Sequence, residues 1–207
     1  MPTGEYLQWR AGFTEVAWVV QELLTRCQNW EGPGPGEWNL RELVAHTIRS
    51  AALPARLLAA PEPATSDHET AVSYFLAYLA GGQPTRDTVA ERGRDEARTM
   101  TLEPPDAFEV ALRESLLAIR AASAGRILAT PWGGIGLDEY LSSRIFELTI
   151  HGFDIAAATG LQFAPPEAAL GTTLSLLTEV ALATGQASKA IGALAGRDWA
   201  PSAAIFA

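Results

Sequence analysis

Arg144-Ile145-Phe146-Glu147-Leu148-Thr149-Ile150-His151-Gly152-Phe153-Asp154 is an apolar, helix-forming run that carries a carboxylate and an imidazole four residues apart. Residues at that spacing share a helix face, with Cβ atoms about 5–6 Å apart, so both side chains reach a single ion. At about 100° per residue, Leu141, Ile145, Leu148 and Ile155 fall on one apolar stripe. Tyr140, Arg144, Glu147, His151 and Asp154 gather along one flank of that stripe. A helical Glu/His pair is also a common solvated contact worth about a few tenths of a kcal/mol, so the pair alone does not make a site.

His46 adds the second helix. It follows Trp38-Asn39-Leu40-Arg41-Glu42-Leu43-Val44-Ala45 and borders the apolar face set by Leu40, Leu43, Val44 and Ile48. A lone histidine there is more often a satisfied core residue. The chain has only three histidines, however, and two of them flank bundle-facing stripes. The third, His68, follows Asp67 at an expected helix start and reads as a surface or cap-proximal residue. Two imidazoles and a carboxylate suit a divalent ion with an open position, zinc first, with Zn–N of about 2.0–2.1 Å and Zn–O of about 2.0–2.2 Å. Nickel or iron accepts the same donors. Asp154 stands where it would accept a hydrogen bond from the free ring nitrogen of His151.

The rest of the chain reads as helices. Phe13, Val16, Ala17, Val20, Leu23 and Leu24 recur at three and four spacing between Tyr6 and Cys27. The Gly/Pro run 31–36 breaks that helix. Asn39 with Glu42 forms a capping-box signature for the next, which Pro54 is expected to kink or divide. Residues 61–66 read as a loop, and Asp67 as the cap of a short helix ended by Gly81-Gly82. Residues 83–103 are charged and show no clear period. A helix follows from Pro105 to Ala122, then a turn-rich connector over 128–136 that suits a short hairpin. The helix over 137–158 stops at Gly160, and two more run over 166–184 and 188–194. The expected fold is all-α: a four-helix bundle over residues 1–160 with a short helical C-terminal extension over 161–207.

Composition limits the function classes. The chain has 207 residues, 15 Lys and Arg against 24 Asp and Glu, and a net charge of −9. Such a surface disfavours nucleic acid and anionic membranes as partners. A single cysteine, Cys27, excludes an internal disulfide framework and fits a reducing, cytoplasmic setting. Cys27 sits in an apolar helical context and reads as a buried, inert thiol. The N-terminus lacks a signal-peptide layout, and no run of about 18 uncharged apolar residues occurs. The six tryptophans read mainly as core, with Trp38 and Trp132 placed to line the mouth of the site. No phosphate loop, nucleotide fingerprint or nucleophile motif is present.

Two motifs resemble those of the DinB-like superfamily of metal-binding four-helix bundles, and most closely its mycothiol-dependent maleylpyruvate isomerase group. One is Trp38 followed by Leu43-Val44-Ala45-His46. The other is Arg144, Glu147, His151-Gly152-Phe153-Asp154-Ile155-Ala156, then Ala158-Thr159-Gly160. The ending Ala195-Gly196-Arg197-Asp198-Trp199 also resembles that of some members. The resemblance implies His46, Glu147 and His151 as metal ligands and mycothiol or another small thiol as cofactor or co-substrate. The isomerase of that group carries a larger C-terminal α/β domain that adds an arginine, whereas residues 161–207 here read as helical.

The leading expectation is a metal-dependent thiol transferase or isomerase-like enzyme, in which a metal-bound thiolate attacks a small electrophile. A free thiol with pKa of about 8.5 is only a few per cent ionised at neutral pH. Two neutral imidazoles and one carboxylate leave a divalent ion with residual positive charge, which favours an anionic sulfur. Arg144 or Tyr140 would orient the thiol or the electrophile, although pairing with a nearby acid is as good a reading of Arg144. Maleylpyruvate isomerase activity proper, a metal-dependent hydrolase and a non-catalytic metal-binding stress protein remain as alternatives. The apolar C-terminal helices are compatible with a homodimer.

Overall fold

A computed structural model of the chain describes residues 4–197. The fold is all-α, with eight helices and one small hairpin among those residues. Four long helices make the bundle: α1 (Gly4–Arg26), α2 (Leu40–Leu58), α5 (Pro104–Ala121) and α6 (Leu137–Thr159). The helices α1 and α6 pack together, as do α2 and α5, and the contacts α2–α6 and α1–α5 close the ring. Phe13, Val16, Val20, Leu24, Leu43, Val44, Phe108, Leu112, Leu141, Ile145 and Leu148 fill the centre and are fully or almost fully buried. These are the positions that the three and four spacing marks on α1, α2 and α6.

The start of α2 is fixed twice. Asn39 Oδ1 accepts from the Glu42 amide at 2.9 Å, and Glu42 Oε2 accepts from the Asn39 amide at 3.0 Å, completing the capping box. The Gly/Pro loop folds back over this end, with Leu40 N donating to Gly32 O and Gly34 N to Trp38 O, both at 2.8 Å.

Pro54 does not divide α2, which runs unbroken to Leu58. The reason lies in α5. The buried Ser115 hydroxyl donates to Ala51 O at 2.6 Å and accepts from Ala55 N at 3.2 Å. Those are the two backbone groups a regular helix would pair, so a side chain from the next helix is inserted into the ladder beside the proline.

Residues 83–99 are helical rather than irregular, and only 100–103 are coil. Gly81 ends α3 (Ala71–Ala80), and α4 (Gly82–Thr99) begins at once. Its buried positions among the described residues are Gly93, against the Trp38 ring, and Ala97, too small to give an apolar period. The ion pairs Arg49–Glu96 at 2.7 Å and Arg94–Glu37 at 3.1 Å hold its polar flank. Asp67 is not the cap of α3. Thr70 fills that role with Ser73, while Asp67 Oδ2 accepts from Gly134 N at 2.6 Å.

The connector does hold a hairpin, β1 (Ile127–Thr130) against β2 (Gly133–Gly136), antiparallel with Leu128 opposite Ile135. His68 is not a free surface residue. It bridges Ile135 in parallel, and its Nε2 donates to the Trp132 carbonyl at 2.7 Å. A Cβ at Gly134 would stand 2.6 Å from the Thr65 carbonyl oxygen, which explains the glycine there.

After Gly160, in the left-handed conformation with φ 70°, come α7 (Glu167–Ala183) and α8 (Ala187–Leu194). The helix α7 packs on α6, α3 and α1, and shares a second apolar cluster of Ala71, Phe75, Phe146, Leu176 and Val180. Asp198 and Trp199, at the end of the Ala195–Trp199 run, lie outside the described residues. No described helix is long and apolar enough to cross a membrane.

Replacing Ser115 with alanine strands Ala55 N–H and Ala51 C=O in the interior. The expected loss is about 1–3 kcal/mol of unfolding free energy, measured by urea denaturation of Ser115→Ala against the native chain. A change within about 0.3 kcal/mol would show that the hydroxyl bridge carries no weight.

Candidate metal centre

The contact between α2 and α6 brings His46 to Glu147 and His151. His46 Nε2 lies 3.6 Å and His151 Nε2 3.2 Å from the same oxygen, Glu147 Oε2. One donor atom from each of the three lies within 4.8 Å of the others, the one such cluster among the described residues. The two imidazole rings meet edge to face with centroids 4.9 Å apart. Side-chain exposure is 15 %, 18 % and 16 % for His46, Glu147 and His151, so the cluster is set into the bundle yet reaches solvent. The donor set and its spacing fit a divalent cation held by two nitrogens and one carboxylate oxygen.

Local geometry aims each ligand. Glu147 and His151 are four residues apart on α6, and Asp154 follows one turn later. Asp154 Oδ2 accepts from His151 Nδ1 at 3.1 Å, which leaves Nε2 directed at the cluster. The Trp38 ring packs on His46 at 5.2 Å and limits its rotation.

The charges are coupled. Burial works against ionised Glu147, but hydrogen bonds from His151 and His46 and the charge of Arg144 hold its carboxyl well below the usual range. Burial likewise opposes the imidazolium of His151, yet the bonds to Asp154 and Glu147 prevail and raise its pKa to about 9. His46 is pulled below its ordinary value, chiefly by burial. Without metal, His151 is therefore an imidazolium between two carboxylates, with His46 neutral beside it.

The other expected residues have different places. Arg144 forms no ion pair with an acid among the described residues; its guanidinium lies over the Tyr140 ring at 4.8 Å. Both are buried. The Trp132 ring packs on Tyr74 and Tyr78, at 5.7 and 5.4 Å, rather than on His46 or His151. Cys27 is buried, its thiol pushed up by burial, and it takes no part in the cluster.

The family model for the mycothiol maleylpyruvate isomerase N-terminal domain matches residues 9–156. The chain belongs to this family. The matched span contains all three residues of the cluster, together with Asp154, Arg144 and Tyr140. The family domain is DinB-like, in agreement with the four-helix ring. No curated protein and no solved structure matches the chain.

Within this family bundle, sequence reasoning missed the aromatic wall on α3. Tyr74 meets His68, Trp132 and Tyr140, and the charge of Glu147 acts on both Tyr74 and Tyr78. The available signal was Tyr74-x-x-x-Tyr78, the same helical spacing as the Glu/His pair. Three of the four tyrosines in the chain gather on this side of the cluster.

A metal ion competes with the His151 proton. The folded pKa of about 9 lies above the ordinary 6.5, so protonation of His151 stabilises the metal-free fold fully below about pH 6.5. That contribution is lost as pH rises through about 9. Metal affinity follows the opposite course. It should rise by about tenfold per pH unit from neutrality and level off near pH 9, in competition titrations of metal-free protein with a chromophoric chelator.

Proposed function

We propose that the chain is a metal-dependent enzyme that joins a low-molecular-weight thiol, mycothiol above all, to a small electrophile. The observation that carries this reading is the cluster of His46 Nε2, Glu147 Oε2 and His151 Nε2 within 4.8 Å on the solvent-reaching flank of the bundle. Family membership supports a mycothiol-related, metal-binding role at the coarser level. We take zinc as the native ion, from the two imidazoles and one carboxylate.

A divalent ion held by these three residues would supply positive charge that favours the thiolate over the thiol at neutral pH. The remaining work belongs to the protein. Asp154 keeps the Nδ1 proton of His151, so that Nε2 presents its lone pair. The Trp38 ring, packed on His46, shields that side of the cluster from bulk water, which strengthens the charge interactions inside. The charge of Arg144 reaches both His46 and Glu147, which supports a role in orienting a polar group of either reactant.

The test is a thiol screen on metal-loaded protein with a chlorodinitrobenzene-type electrophile. Mycothiol should be consumed in preference to glutathione, and consumption should stop in His46→Ala. Elemental analysis of the same variant should show loss of at least about tenfold in retained metal. Stoichiometric metal in His46→Ala would sink the three-ligand site. Absence of metal-dependent consumption of any small thiol would sink the transferase while leaving the site in place.

A further inference from the structure

Arg144 lies one turn before Glu147 on α6 and is only 6 % exposed. Its Nε donates to Ser143 Oγ at 3.2 Å. Its two Nη groups have no acceptor among the described residues, and no acid pairs with it. Tyr140, 1 % exposed, carries the ring beneath the guanidinium, and its hydroxyl has no hydrogen-bond partner there either. Buried polar groups are nearly always paired, and a buried unpaired cation is costly. Neither group is among the sealed, unsatisfied polar atoms of the interior, so the free donors keep a small accessible surface.

The guanidinium belongs to the helical turn of α6 that precedes Glu147. The charge of Arg144 acts on His46 of α2, Tyr74 of α3, and Glu147 and Tyr140 of α6. The unmet donors are thus a planar guanidinium fork and a phenol, held rigid by stacking and burial.

We propose that Arg144 and Tyr140 form a recognition pocket for a carboxylate group of the small-molecule ligand, beside His46, Glu147 and His151. A guanidinium fork matches the two oxygens of a carboxylate in plane. The Tyr140 hydroxyl supplies a further donor. The single positive charge, already partly offset by Glu147, suits a monoanion better than a phosphate dianion. The reactant is then a carboxylic acid whose reacting carbon faces the cluster. The pocket rests on the reading under Proposed function only for the placing of that reacting end.

Calorimetric titration of metal-free, chelator-free protein with acetate, propionate and butyrate, and with their neutral amides, tests the pocket. The expected result is carboxylate binding, with the matching amide weaker by about tenfold or more. Arg144→Gln should abolish the preference, Arg144→Lys should restore only part of it, and Tyr140→Phe should weaken binding by about threefold to tenfold. Failure of all three carboxylates to bind, equal binding of acid and amide, or an unchanged Arg144→Gln protein would each overturn the proposal. If Arg144→Gln does not fold, Tyr140→Phe and the acid-to-amide comparison in the native chain decide. Metal content, measured in parallel, separates the two readings. Carboxylate binding that persists in a protein unable to hold metal leaves the pocket standing and removes the metal enzyme.

Discussion

Everything at the centre depends on the relative setting of α2 and α6. The cluster takes one side chain from the first and two from the second, and one potential donor atom from each lies within 4.8 Å of the others. A slide of one residue along either helix moves a side chain by about 1.5 Å and rotates it by about 100°, which would dissolve the cluster. The register of α2 is pinned by its capping box and the loop folded over its first turn. That of α6 is set by the hairpin entering it and the left-handed glycine leaving it.

The same pair of helices also carries an electrostatic constraint. Glu147 Oε2 stands 3.2 and 3.6 Å from the ring nitrogens of two imidazoles and lies in the field of a buried arginine. Its ionised form is thus part of the folded state before any ion arrives. Two of the three residues, Glu147 and His151, lie four apart on one helix, so a fixed geometry between them requires no long-range folding. Only His46 has to be delivered from elsewhere, and Trp38 and the α2 cap lie within two turns of it.

Most of the cluster was legible in the sequence because its residues obey short-range rules. Glu147, His151 and Asp154 declare themselves by helical spacing, and Asn39 with Glu42 by a capping signature. Gly160 declares itself by the stop it imposes. What was not legible depends on contacts between distant segments. The helix α4 is invisible to an apolar period because its buried positions are the small residues Gly93 and Ala97. His68 looks like a cap neighbour until the hairpin is formed and offers it the Trp132 carbonyl. Trp132 borders the cluster in sequence, yet in space it belongs to the tyrosines of α3.

The Ser115 bridge into α2 has a consequence for how this chain can vary. Pro54 and Ser115 act as one unit although they belong to different helices. Loss of the serine first leaves an amide and a carbonyl of α2 without partners. Loss of the proline first lets α2 close its own ladder and leaves a hydroxyl stranded in the bundle. Neither single step is neutral, so the two positions should be inherited together and exchanged together. Among related chains, an alanine at one of them should predict an apolar residue at the other.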